Sequence, residues 1–253
     1  MKNNNVMNRK LQMLLSAFSL LLPVCATCQE SLLLSDPGRE PEVHGQVIRP
    51  EAPGAHPAVI ILYGSSGWRP EYVTIAGDLA SEGFVALVLD YYASTPERDE
   101  TTEMIELWPC WQDALRGAVQ LLMDDPSTDN ERIGLLGFSL GGFLAVSTAN
   151  SIPEVKAVVE FFGGAIDEID LESQVRDFPP LLILHGEKDE SVPVSKAYEL
   201  RDGVLAHGGE VEMQIYPGAP HGFNSPWIPF YNDSLANDSF QRSVDFFARK
   251  LKN

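Results

Sequence analysis

A regular alternation of short apolar runs with helix-like segments, along most of the chain, limits the fold more than any other feature. The apolar runs are rich in Val, Ile and Leu, which is typical of strands covered on both faces. Such alternation predicts a mostly parallel central sheet with right-handed crossovers and helices on both faces, which is an α/β fold in a single domain. We expect strands at 57–62, 84–89, 133–138, 155–162, 181–184 and 211–216, and helices at 72–82, 112–123, 140–148, 194–206 and 239–251.

A serine lies where one of these strands meets the next helix. The segment Gly137-Phe138-Ser139-Leu140-Gly141 is a G-x-S-x-G element that directly follows an apolar run. On so sharp a strand-to-helix turn the hydroxyl is lifted out of the sheet, and the flanking glycines relieve crowding. Backbone N–H groups at the helix start then point toward any oxyanion formed on the serine. The element predicts Ser139 as a nucleophile.

A hydroxyl nucleophile needs a base, and the base needs an orienting acid. His221 lies in a turn-rich loop directly after the strand predicted at 211–216, and Asp189 lies in the loop after the strand at 181–184. Ligands of parallel sheets bind at the carboxyl ends of the strands, where all three residues fall. We therefore expect Ser139, Asp189 and His221 to meet at one edge of the sheet.

Other residues of the same types compete for these roles. Asp167 and Asp170 follow the strand at 155–162 and are alternative acids. Asp189 itself could be a loop or capping carboxylate, since aspartate favours such positions. His185 comes directly after a buried strand and is expected to be a structural, hydrogen-bonding histidine.

Three segments of the chain resemble the dienelactone hydrolase family of α/β hydrolases. They are G-F-S-L-G-G around Ser139, H-G-E-K-D-E-S-V-P around Asp189 and Y-P-G-A-P-H-G-F around His221. The resemblance extends from about Val43 to the last helix, and it implies an α/β-hydrolase domain over 43–253 with these three catalytic residues and no cofactor. Members that open dienelactone use cysteine as the nucleophile, so a serine here favours a general hydrolase of carboxylic esters or lactones.

The resemblance also implies where a negatively charged intermediate would be held. The backbone N–H groups of Leu140 and Ser65 would form the oxyanion hole. Ser65 lies in the loop 63–68, whose glycines let the backbone approach a substrate closely. The alternative is a plain strand-to-helix connection.

Aromatic residues near the predicted strand ends, together with one arginine, are candidates for substrate binding. Some of the aromatic residues would otherwise belong to the core. Arginines bind a substrate carboxylate in relatives that cleave dienelactone, although this one could also be a solvated surface charge. The candidates are Tyr63, Trp68, Arg69, Tyr91, Tyr92, Phe223 and Trp227.

The N-terminal segment predicts export. Lys2, Arg9 and Lys10 precede the apolar stretch 11–22, and small residues follow up to Cys28. A stable membrane span needs about 20 apolar residues, so this stretch is too short to be one. We predict a cleaved secretory signal over 1–28, a lead-in over 29–42, and a periplasmic or extracellular protein. A lipid-anchored cysteine fits less well.

Charge narrows the range of partners. The formal net charge is −18, and it becomes about −21 without Lys2, Arg9 and Lys10, since the predicted signal contains no acidic residue. Nucleic acid and anionic membrane surfaces are therefore not expected partners. No metal-ligand spacing occurs. A small-molecule or glycan-linked ester is the expected substrate; the alternatives are a serine peptidase or amidase of the same fold, and a non-catalytic binding protein that has kept it.

Overall fold

A computed structural model describes residues 32–35, 43–93, 95 and 104–252. The predicted signal segment 1–28 lies outside these residues, as does most of the lead-in 29–42. Within the described ranges, no helix is long and apolar enough to cross a membrane.

The described strands form a single eight-stranded sheet in the order β1-β2-β4-β3-β5-β6-β7-β8. β1 and β2 pair antiparallel with their neighbours, and the strands from β3 to β8 are all parallel. The expected mostly parallel sheet is thus confirmed. The strands are β1 (Leu32–Ser35), β2 (His44–Ile48), β3 (His56–Leu62), β4 (Val85–Leu89), β5 (Thr128–Phe138), β6 (Val155–Phe161), β7 (Leu181–Gly186) and β8 (Val211–Tyr216).

Helices cover both faces of this sheet. α1 and α6 pack on one face and α2 to α5 on the other. Two glycines of β5 show the division: a Cβ on Gly134 would press into Phe247 of α6, whereas one on Gly137 would press into the backbone of α3. The helices are α1 (Pro70–Ser81), α2 (Met104–Asp124), α3 (Leu140–Ala149), α4 (Leu171–Val175), α5 (Ser195–Ala206) and α6 (Asp233–Leu251).

The differences from the expected elements have local causes. α2 begins eight residues before the predicted start, and Pro109 lies inside it. Proline removes one N–H from a helix and usually marks a boundary, but here Leu107, Trp108 and Trp111 are buried and hold the first turns in place. β2 and α4 are five residues long, too short to produce a clear periodic pattern.

Candidate active site

The turn between β5 and α3 holds Ser139 in an unusual backbone conformation. Its φ of 51° and ψ of −116° lie outside the regions that most residues adopt. The glycines around it are sterically required, because a Cβ at Gly137 would collide with Gly141, and one at Gly141 would collide with the Leu62 carbonyl. The Ser139 N–H donates to the Phe161 carbonyl of β6 at 2.9 Å, which fixes the turn to the neighbouring strand.

The structure brings the three predicted site residues together. The Nε2 atom of His221 lies 3.0 Å from Oγ of Ser139, and its Nδ1 atom lies 2.7 Å from Oδ2 of Asp189. A carboxylate only accepts, so Nδ1 carries the proton and Nε2 is free to accept from the serine hydroxyl. The imidazole is thus held in the tautomer that a general base requires.

Asp189 is almost completely buried, and both of its oxygens are used. Oδ2 accepts from His221, while Oδ1 accepts from the backbone N–H groups of Ser191 and Val192 at 2.9 and 2.8 Å. The alternative acids are engaged elsewhere. Asp167 forms an ion pair with Lys196 on the surface, and Asp170 caps α4 by accepting from the Ser173 N–H.

A second histidine lies near the same carboxylate, with 3.4 Å between Nε2 of His185 and Oδ2 of Asp189. His185 is completely buried, and its Nε2 atom donates to the Val192 carbonyl at 2.9 Å. Burial lowers the pKa of His185, so its imidazole is neutral at pH 7. It supports the loop that carries Asp189, in the structural role expected from the sequence.

The loop after β3 lies directly beside the serine. A Cβ on Gly64 would be 3.4 Å from the Ser139 Cβ, which shows how closely this backbone approaches the hydroxyl. Within the described ranges, the N–H groups of Ser65 and Leu140 have no protein acceptor. Both are therefore available to an oxygen atom bound next to Ser139.

A cavity of about 160 Å³ opens at the serine hydroxyl and the imidazole. Burial raises the pKa of Tyr72 to about 12, so its phenol is neutral, and its oxygen accepts from the Gly64 N–H at 3.2 Å. Tyr72 and Phe162 are site residues that sequence reasoning missed, since each reads as an ordinary apolar residue of a helix or strand. The side chains that line this cavity include Tyr72, Phe162, Trp227 and Ile228.

Three of the aromatic candidates belong to the core, so their assignment to a substrate cleft is wrong. Tyr63, Tyr91 and Phe223 are completely buried. The Tyr63 hydroxyl donates to Asp90 at 2.6 Å, and that of Tyr91 donates to the Tyr63 carbonyl at 2.7 Å. Partners distant in the sequence satisfy these hydroxyls and allow the rings to be buried.

The remaining candidates lie at the surface near the loop after β3. The Tyr92 hydroxyl donates to the Ser65 carbonyl at 3.3 Å and so supports the loop. The Arg69 guanidinium lies 5.1 Å from the centre of the Trp227 ring. Trp68 is exposed and lies outside the residues that line the cavity at Ser139. Substrate binding by Trp68, Arg69 and Tyr92 stays a prediction.

A larger and mainly apolar cavity, of about 410 Å³, adjoins the start of α3. It lies between the beginning of α2 and the loops that follow β6 and β7. Its walls include Trp108, Leu140, Phe143, Ile166, Val192 and Pro193. We call it the apolar cavity.

A strained serine between a parallel strand and a helix, hydrogen-bonded to a histidine that an aspartate orients, defines the class of α/β hydrolases. The model of the dienelactone hydrolase family matches residues 43–251, and the chain belongs to this family. It is therefore a hydrolase of carboxylic esters or lactones.

Known proteins of similar sequence or similar structure share this fold. A Yersinia pestis protein provisionally named a carboxymethylenebutenolidase is 26% identical over 230 residues, which cover 84% of this chain and 86% of the relative. A provisionally named dienelactone hydrolase from Klebsiella pneumoniae superposes with a TM-score of 0.75 at 24% identity, over 87% of this chain and 98% of its own. An acylaminoacyl peptidase superposes with a TM-score of 0.70 at 18% identity, over 89% of this chain but 42% of its own.

Proposed function

We propose that this protein hydrolyses carboxylic esters through an acyl-enzyme on Ser139. The observation that carries the proposal is the continuous hydrogen-bonded chain from Ser139 through His221 to Asp189, with distances of 3.0 and 2.7 Å. An ordinary serine in a tight turn would need neither the strained backbone nor a histidine held in one tautomer.

The first half of the reaction forms the acyl-enzyme. Oγ of Ser139 attacks the ester carbonyl carbon while Nε2 of His221 takes the hydroxyl proton. The carbonyl oxygen becomes an oxyanion, which the N–H groups of Leu140 and Ser65 stabilise. The carbon–oxygen bond to the alcohol then breaks, and His221 returns the proton to the leaving oxygen.

The second half releases the acid. Water attacks the acyl carbon and gives a proton to Nε2 of His221. The bond to Oγ of Ser139 breaks, and the same proton returns to the serine. Throughout, Asp189 orients the imidazole and stabilises its positive charge.

We assign the acyl group of the substrate to the apolar cavity. His221 must reach the leaving oxygen, so the alcohol part would occupy the smaller cavity that His221 and Trp227 line. The acyl part then points toward Leu140, where the apolar cavity begins. Uncharged acyl chains suit these walls better than anionic ones.

The natural substrate would be a small-molecule or glycan-linked ester. We propose that the protein acts outside the cytoplasm, because residues 1–28 have the composition of a secretory signal. Its acidic net charge of −18 disfavours anionic partners.

Replacement of the nucleophile tests the mechanism. Ser139→Ala should abolish turnover of short p-nitrophenyl esters, because the acyl-enzyme cannot form without the hydroxyl. A fluorophosphonate probe should label Ser139, and His221→Ala should slow this labelling strongly. Labelling mapped to another residue, or full turnover by Ser139→Ala, would overturn the assignment.

The same assays separate the alternative functions. A peptidase would cleave aminoacyl amides as well as the matching esters, whereas an esterase would hydrolyse the esters and leave the amides essentially uncleaved. A binding protein that has lost catalysis would react with no serine-directed probe.

A substitution at the rim of the apolar cavity tests the acyl assignment. Ile105 is partly exposed on α2 and lines this cavity. Ile105→Trp should lower kcat/KM for octanoyl esters about tenfold and leave acetyl esters nearly unchanged, since lost pocket contacts are worth about 1–3 kcal/mol. Leu205→Trp, at an exposed aliphatic residue of α5, is the matched control. Equal effects on both esters would contradict the assignment.

A further inference from the structure

Glu160 is an acidic residue near the carboxyl end of a buried strand. It lies in β6 between Val159 and Phe161 and is completely buried. Its Oε2 atom accepts from the Gly163 N–H at 2.7 Å, and within the described ranges its Oε1 atom has no partner. Burial of a carboxyl group with one unpartnered oxygen costs stability, so this residue needs an explanation other than packing.

Two glycines make room for this carboxyl group. A Cβ on Gly163 would be 3.0 Å from Oε2, and a Cβ on Gly142 of α3 would be 3.4 Å from it. The first distance is too short for an ordinary contact, and the second leaves no space for anything larger. The backbone around Glu160 is thus fitted to a carboxyl group.

The hydrogen bond from Gly163 closes a turn that contacts two members of the site. We call residues 161–163 the β6 turn. The Phe161 carbonyl accepts from the Ser139 N–H at 2.9 Å. The Phe162 ring packs edge to face on the His221 imidazole, with 4.7 Å between ring centres.

The β6 turn is strained, so it needs a restraint. Phe162 has a φ of 42°, a backbone conformation that residues other than Gly, Asn and Asp rarely adopt. Its N–H donates to the Leu184 carbonyl at 3.0 Å, and the next N–H, that of Gly163, donates to Glu160. These two bonds hold the Phe162 ring in position against the imidazole.

We propose that Glu160 is a positioning residue for the Ser139–His221 pair: its buried carboxyl group fixes the β6 turn, and through it the nucleophile and the imidazole. This inference rests on the hydrolytic function proposed above.

The titratable groups near Glu160 belong mainly to the loop that carries Asp189. The facing residues of β5, β7 and α3, which are Gly137, Ile183 and Gly142, carry no charge. His185, at the end of β7, is neutral, and the loop after β7 carries the Asp189 carboxylate. Lys196 of α5 is paired with Asp167 and Glu199.

These surroundings favour the protonated form of Glu160. Burial raises the pKa of Glu160 to about 8, the bond from Gly163 lowers it in part, and the Asp189 charge raises it further. Glu160 is therefore mostly neutral at pH 7 and ionises near pH 8. Its ionisation adds a second negative charge near Asp189. This charge stabilises the imidazolium that forms in the transition state.

Two substitutions separate positioning from mere packing. Glu160→Gln keeps an acceptor for Gly163 but cannot ionise, and Glu160→Leu removes the acceptor. Both are compared with wild type in p-nitrophenyl ester turnover between pH 6 and 9.5, with kcat and KM measured separately.

Glu160→Leu should lower kcat at pH 7 at least about tenfold with little change in KM, because small displacements of reacting groups cost up to about 100-fold. Glu160→Gln should stay within about threefold of wild type at pH 7. Wild-type kcat should rise about two- to fivefold across pH 8, as expected for roughly 1 kcal/mol of charge interaction, and Glu160→Gln should lack this rise.

The glutamine variant keeps the test decisive even if the leucine variant does not fold. A Glu160→Gln profile that matches wild type at every pH, or a folded Glu160→Leu with wild-type kcat, would overturn the positioning role alone. A wild-type protein that neither turns over esters nor reacts with fluorophosphonate would overturn the hydrolytic proposal and this inference with it.

Discussion

One carboxyl group is buried at the end of β6 and another in the loop after β7, yet the protein supplies them with different numbers of hydrogen-bond donors. Asp189, after β7, accepts three N–H groups, two from the backbone and one from His221. Glu160, in β6, accepts one, and within the described ranges its second oxygen has no partner. The side chains of both groups are buried. They therefore differ in the number of hydrogen bonds that they accept, and not in their exposure to water.

This difference explains which of the two groups can orient the imidazole. Hydrogen bonds to a carboxylate compensate the loss of water, and charge-assisted bonds are about twice as strong as neutral ones. Asp189 has this compensation and Glu160 lacks most of it. A buried carboxyl group near a histidine is therefore suited to orienting it only when the backbone supplies donors.

The largest effect should come from Asp189→Asn. Because Ser191 and Val192 donate to one oxygen, the amide oxygen of asparagine would turn toward them and its NH2 group would face His221. This favours the wrong imidazole tautomer, so kcat should fall about 10³- to 10⁴-fold. Steady-state ester turnover measures the loss. Asp167→Asn, at the exposed alternative acid, is the control and should stay close to wild type; a small loss in Asp189→Asn would contradict the contrast.

A smaller effect, on stability, should come from Glu160→Gln. The folded protein keeps the Glu160 proton up to about pH 8, whereas the unfolded chain releases it near the ordinary pKa of 4.5. Between these values Glu160 holds its proton in the folded state only, so its contribution to wild-type stability falls as pH rises. Glutamine does not titrate, so the free energy of unfolding of the variant should gain on wild type up to about pH 8 and then stay level. Each unit of pKa difference corresponds to about 1.4 kcal/mol.

Urea unfolding at pH 5, 6.5, 8 and 9 measures this gain. Glu131→Gln, at an exposed residue of β5, is the control and should follow wild type at every pH. A constant difference between Glu160→Gln and wild type would show that Glu160 does not hold its proton in the folded state.

The same contrast shows what the sequence can predict. Ser139, Asp189 and His221 each follow a predicted strand, and the topology of a parallel sheet brings the ends of these strands to one edge. The local sequence pattern is therefore sufficient to predict that the three residues meet. Tyr63 was misplaced because its burial depends on Asp90, 27 positions further along the chain. Glu160 is marked in the sequence by a single acidic residue in the apolar run Val158-Val159-Glu160-Phe161-Phe162, followed by two glycines.

The smallest effect should come from Asp170, the second of the alternative acids. Its side chain is exposed and accepts from the Ser173 N–H at 3.0 Å, which satisfies one free donor at the start of α4. Asp170→Ala should therefore lower the free energy of unfolding by about 0.5–2 kcal/mol and leave kcat unchanged. Asp170→Asn keeps the accepting oxygen and should retain most of this stability, as measured by urea unfolding. A loss of kcat in Asp170→Ala without a loss of stability would mean that the Asp170 carboxylate contributes to catalysis. The donors around Asp189 would then not be sufficient to decide which acid supports His221.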